Sequence, residues 1–107
     1  MIRTKQFTIK FDPETGGPRS ETATVPFPKK IVWAEAMLKG FRAEFTKSSG
    51  SSNSHDLFHR LLVDLDVKSV SGSTVVVNAD FALRDKSGSF DDEYRGTVQG
   101  VVIAELE

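Results

Sequence analysis

The segment LLVDLDVKSVSGSTVVVNADFALR, Leu61 to Arg84, decides the fold. Val63, Leu65 and Val67 fall on one side of an extended chain and Asp64, Asp66 and Lys68 on the other, the period of two expected of a strand with one wet face. Ser71-Gly72-Ser73 breaks the run. Val75, Val77, Ala79, Phe81 and Leu83 then share a side opposite Asn78, Asp80 and Arg84, so the two runs form an antiparallel hairpin about a short Gly-containing turn. A third run, Thr97 to Leu106, is apolar on both sides, with Val98, Val102, Ala104 and Leu106 alternating with Val101 and Ile103. A sandwich strand normally wets its outer face. Either this strand is central and lies under a loop or the N-terminal arm, or it forms a subunit interface.

Upstream, Phe7, Ile9 and Phe11 alternate with Thr8, Lys10 and Asp12 as a short strand ending at Asp12-Pro13. Gly16, Gly17 and Pro18 mark a wide loop or an arm hinge, which makes 1–20 an N-terminal strand and arm. Thr22 to Phe27 is extended, and Pro26 and Pro28 suit an edge or a strand end.

Lys29 to Phe45 admits two readings. Trp33, Met37, Phe41 and Phe45 recur every four residues amid good helix formers, but Ile31, Trp33, Met37, Phe41, Ala43 and Phe45 also share odd parity, as one side of a strand would. The all-β surroundings favour a strand with a bulge or turn near Lys39-Gly40. Trp33 lies in the apolar register and is read as core. The expected fold is therefore an all-β antiparallel sandwich of about six strands in one domain, 1–107; a helix within 30–45 would make it α+β.

The chain has 107 residues, enough for one domain to fold alone with a thin margin, and ordinary globular proportions of hydrophobic (38%) and charged (27%) residues. Its 14 basic and 15 acidic residues leave a net charge of -1 with the signs interleaved, which argues against nucleic-acid or anionic-membrane partners. The lack of cysteine removes disulfides and thiolate chemistry without choosing a compartment. The first residues do not form a signal peptide, and no segment approaches the roughly 20 apolar residues of a membrane helix. A soluble protein is expected, cytoplasmic by default, or exported or virion-borne by a non-classical route.

No catalytic constellation stands out. Ser54-His55-Asp56 are sequence neighbours rather than a triad, and no GxSxG turn occurs. Asp85, Asp91, Asp92 and Glu93 lack the spacing of an EF-hand loop, and His55 and His59 have no third ligand for zinc. No enzyme activity, cofactor or metal is expected. The Ser-rich stretch Thr46 to Ser54 reads as a surface loop, as does the turn Lys86-Ser87-Gly88-Ser89 with the following Asp91-Asp92-Glu93 and Tyr94-Arg95-Gly96.

Val25-Pro26-Phe27-Pro28, the apolar run from Ile31, a polar loop, the hairpin opening with Leu62-Val63-Asp64-Leu65-Asp66-Val67 and a last strand resemble in order the H-type lectin domain of snail agglutinins and discoidin C-terminal domains, over about residues 20–106. That resemblance implies a six-stranded sandwich, a homo-oligomer of trimeric form, and shallow sites for N-acetylgalactosamine-type sugars near subunit boundaries. This chain is longer between Leu83 and Thr97, and the family's sugar-contacting residues do not map onto it one by one. From the residues themselves, sugar recognition needs an aromatic face and planar polar groups. Tyr94, Asp91, Asp92, Arg95 and His55 are the candidates. The expected function is a non-enzymatic carbohydrate-binding oligomeric module, the alternative being a structural or assembly subunit of a virion, tail fibre or secretion apparatus.

Overall fold

Alternation of apolar and polar residues builds strands throughout the described chain, residues 1–47, 58–85 and 93–107 of a computed structural model. They are β1 (Ile2–Glu14), β2 (Arg19–Pro26), β3 (Ile31–Lys47), β4 (Phe58–Ser71), β5 (Thr74–Asp85) and β6 (Glu93–Leu106). Two three-stranded antiparallel sheets face one another, ordered β1-β6-β3 (sheet A) and β2-β5-β4 (sheet B). The segment expected as strand or helix is strand from Ile31 onward, so the sandwich stands and the α+β alternative falls. β3 alone runs 17 residues, and at about 3.3 Å per residue strands of this length account for the 56 × 18 × 17 Å dimensions.

The core is one apolar layer between the sheets. Phe7, Ile9 and Phe11 of β1 and Val98, Val102, Ala104 and Leu106 of β6 meet Val25 of β2 and Val75, Val77, Ala79, Phe81 and Leu83 of β5. Gly72, at φ +60° and followed by a residue with negative φ, forms a two-residue turn of type II′ between Ser71 and Thr74. The turn accepts hydrogen bonds from the Phe27 and Ile31 amides, at Ser73 O (2.8 Å) and Gly72 O (2.9 Å), which pins the β2–β3 connection to that pole. The chain ends are tied there too, through Leu106 N to Met1 O (2.8 Å) and Glu107 N to Lys30 O (3.0 Å).

Several expectations are corrected. The expected N-terminal strand is present and longer than read, β1 running Ile2–Glu14, and it pairs with β6 edge to edge instead of lying over it. β6 begins at Glu93, four residues before the expected Thr97, because Gly96 sits within the strand. A Cβ there would come 2.5 Å from Phe81 Cζ and collide with the Arg42 carbonyl oxygen. Trp33 is not core: it is 46% exposed. Its register explains why, since Ile31 pairs with Leu106 but Trp33 with Glu105, so a bulge at Val32 turns Trp33 onto the outer face. The expected irregularity near Lys39-Gly40 is present as a bulge between Leu38 and Gly40 that leaves β3 one strand.

Candidate functional site

Residues paired across an antiparallel sheet project to the same face, so the register sets out the outer face of sheet A row by row. At the pole holding the chain ends, Ile2 and Trp33 flank Glu105, Thr4 and Glu35 flank Ile103, and Gln6 and Met37 flank Val101. Ile2, Trp33 and Met37 are about half exposed (53%, 46% and 51%), while Val101 and Ile103 are half-buried between them. Apolar side chains from all three strands thus gather on the face that water would normally meet, interleaved with Thr4, Gln6, Glu35 and Glu105. Lys39, at the bulge, reaches over β6 to donate to Gln6 Oε1 (2.8 Å) and borders the patch.

Further along the same face the chemistry changes. Lys10 and Arg42 flank Thr97, and the next row sets Arg95 opposite Glu44. These side chains, with Phe11 and Gly96 beneath, line a shallow depression of about 210 Å³. Arg95 donates from Nε to Glu44 Oε1 at 2.7 Å, and Lys10 Nζ lies 3.7 Å from Asp12 Oδ1. Arg42 forms no ion pair or side-chain hydrogen bond among the described residues, which leaves its guanidinium open to solvent.

Of the residues picked out from sequence, Arg95 lines this depression and Tyr94 does not. Tyr94 is fully buried on β6, in the inward register with Val98 and Val102. Its ring packs 5.6 Å from that of Phe81, and its hydroxyl donates to Gly16 O at 2.6 Å. The Arg19 guanidinium covers the ring at 4.3 Å and donates to Tyr94 O (2.9 Å) and Asp12 O (2.7 Å). With both sides of the ring engaged, Tyr94 has no face to offer a sugar. His55, Asp91 and Asp92 lie outside the described residues, as do most of the loops that carry them. Lys10, Arg42, Glu44 and Thr97 were missed because they come from three strands and meet only through the register.

The outer face of sheet B differs. Asp80 stands opposite Asp64, and Asn78 opposite Asp66; Ser20 Oγ (2.5 Å) and Asn78 Nδ2 (3.1 Å) both donate to Asp80 Oδ1. Among the described residues no group of three or more His, Cys, Asp or Glu could hold a metal ion, and no helix is long and apolar enough to cross a membrane. No family model, curated protein or solved structure matches this chain.

Proposed function

We propose that the chain is a non-enzymatic, self-associating carbohydrate-binding module whose subunit contact and ligand site share the outer face of sheet A. The observation that carries self-association is the patch of Ile2, Trp33, Met37, Val101 and Ile103. Roughly half of each of Ile2, Trp33 and Met37 is exposed, and large apolar side chains gathered on one exposed face are a feature of interaction surfaces. The ligand site is the depression beside it, where Arg42, Arg95, Glu44 and Thr97 offer the planar and hydroxyl groups that sugar hydroxyls require. The H-type lectin resemblance makes a trimer the expected stoichiometry. Repeated shallow sites in such an assembly would bind by avidity.

One observation favours the structural or assembly reading instead: burial of Tyr94 leaves the depression without an open aromatic ring for stacking. Light scattering coupled to size exclusion, followed by a glycan array, tests both. The expected wild type is an oligomer at micromolar concentration, which the double variant Trp33→Lys, Met37→Lys reduces to a folded monomer. A monomeric wild type overturns the self-association common to both readings. A stable oligomer that binds no glycan leaves the assembly reading and removes the lectin one.

A further inference from the structure

We infer that the depression between Lys10, Arg42 and Arg95 binds an oxyanion, the sulfate or carboxylate group of an acidic saccharide. The saccharide rests on the carbohydrate reading above; the anion rests on the local charge and geometry alone. Strands in a sheet lie about 4.8 Å apart, so the Lys10 and Arg42 backbones stand about 10 Å from one another with Thr97 between them. Long cationic side chains can close on a group of sulfate or carboxylate size across that gap, with the Thr97 hydroxyl as a central donor.

The charge balance favours an anion there. Glu44 and Asp12 face the cations and Glu93, one row on, stands opposite Lys47 and accepts from the Thr46 hydroxyl, but Glu44 engages only Nε of Arg95 and Asp12 sits 3.7 Å from Lys10. Among the described residues Arg42 is the surplus charge, and the other guanidinium N–H groups of Arg95 remain available. A guanidinium presents donors in a planar fork that matches two oxygens of a carboxylate or sulfate. The opposite outer face carries Asp64, Asp66 and Asp80, which would repel a polyanion wrapped around the sandwich. A small anionic group therefore fits better than a nucleic acid.

The full chain, labelled with 15N, is titrated at constant ionic strength with sodium sulfate, galactose 6-sulfate, glucuronate and galactose while the Gly96 and Thr97 amides are followed. Saturable shifts are expected with sulfate and more tightly with an acidic sugar. Arg42→Gln, on an exposed side chain, should weaken them about tenfold or more. Glu44→Gln, which removes a facing carboxylate and frees Arg95, should tighten them roughly threefold, a gain that a merely structural role for this pair would not give. Absence of saturable shifts with every anion, or shifts indifferent to Arg42→Gln, overturns the inference. Galactose binding that ignores Arg42 overturns it while sparing the carbohydrate reading. Sulfate binding with no added affinity for any sugar upholds the anion site and removes the saccharide.

Discussion

Gly96 and Gly100 provide the sharpest test of the register on which the candidate site depends. A Cβ at Gly96 would lie 2.5 Å from Phe81 Cζ and 3.1 Å from Cε2, and against the carbonyl oxygen of Arg42 on β3. At Gly100 it would lie 2.5 Å from Phe7 Cζ, 2.9 Å from Leu65 Cδ1 and 2.9 Å from Met37 O. Carbon atoms pack at about 3.5–4.0 Å, so each methyl overlaps a ring by about 1 Å. Overpacking of this kind costs about 1–3 kcal/mol when side chains can yield. The Arg42 carbonyl belongs to the β3–β6 ladder and yields only if the strands part, which adds about 1 kcal/mol for each backbone hydrogen bond weakened. Gly96→Ala is therefore expected to cost about 3–5 kcal/mol and Gly100→Ala about 2–4, large fractions of the 5–15 kcal/mol typical of a domain. Urea unfolding followed by far-ultraviolet circular dichroism, at one fixed protein concentration, measures both. Phe7→Leu should recover part of the Gly100→Ala loss, since the ring is its nearest obstacle but Leu65 Cδ1 and Met37 O remain at 2.9 Å. Phe81→Leu should recover less of the Gly96→Ala loss, because the carbonyl remains. A cost below about 1 kcal/mol for Gly96→Ala would show that Gly96 does not face Phe81, and the row containing Thr97 and Arg42 would be lost with it.

Two further outcomes follow from single contacts. Tyr94→Phe removes the hydroxyl that donates to Gly16 O while keeping the ring, and should lower stability by about 1 kcal/mol without altering ligand affinity; unchanged urea stability would argue against that hydrogen bond. Asp64→Asn relieves a like-charge pair directly across the ladder from Asp80 and should stabilise by about 0.5 kcal/mol. The corresponding rise in melting temperature, about 2–4 °C, should shrink in 1 M salt, where screening falls to about 3 Å; a loss of stability would contradict the pairing.

The hairpin Leu61 to Arg84 was legible because one face of it is wet, so a period of two survives in the sequence. β3 hid its faces for a physical reason. Ile31, Trp33, Met37, Phe41 and Phe45 share parity, yet the bulges at Val32 and Lys39 change the register between them, so Ile31 faces in, Trp33 and Met37 face out, and Phe41, itself 46% exposed, again pairs with inward Val98. Parity predicts a face only between bulges. At β6 the glycines misled, since Gly96 resembled a turn residue when its missing side chain makes room for Phe81. The signal that could have placed Tyr94 was present in the even positions Val98, Val102 and Ala104, which extend backwards through Gly100 and Gly96 to Tyr94. For Lys10, Arg42 and Arg95 no local pattern exists, because their proximity depends on which strands are neighbours and in what register.

Register also separates the two halves of the outer face. The row of Gln6, Val101 and Met37, the near edge of the apolar half, and the row of Lys10, Thr97 and Arg42 are four positions apart along β6, about 13 Å at strand rise. That exceeds the Debye length of about 8 Å at physiological salt, and sites so far apart with no shared partner act additively. Charges introduced at Trp33 and Met37 would therefore dissolve an assembly without touching the intrinsic affinity of the depression. The loss would fall on avidity alone, so binding to an immobilised multivalent surface should collapse while binding to the free ligand in solution persists. Sequence-interleaved charges conceal this division, and the fold creates it by gathering Lys10, Arg42 and Arg95 at one end of sheet A and the aspartates of β4 and β5 on the opposite side of the sandwich.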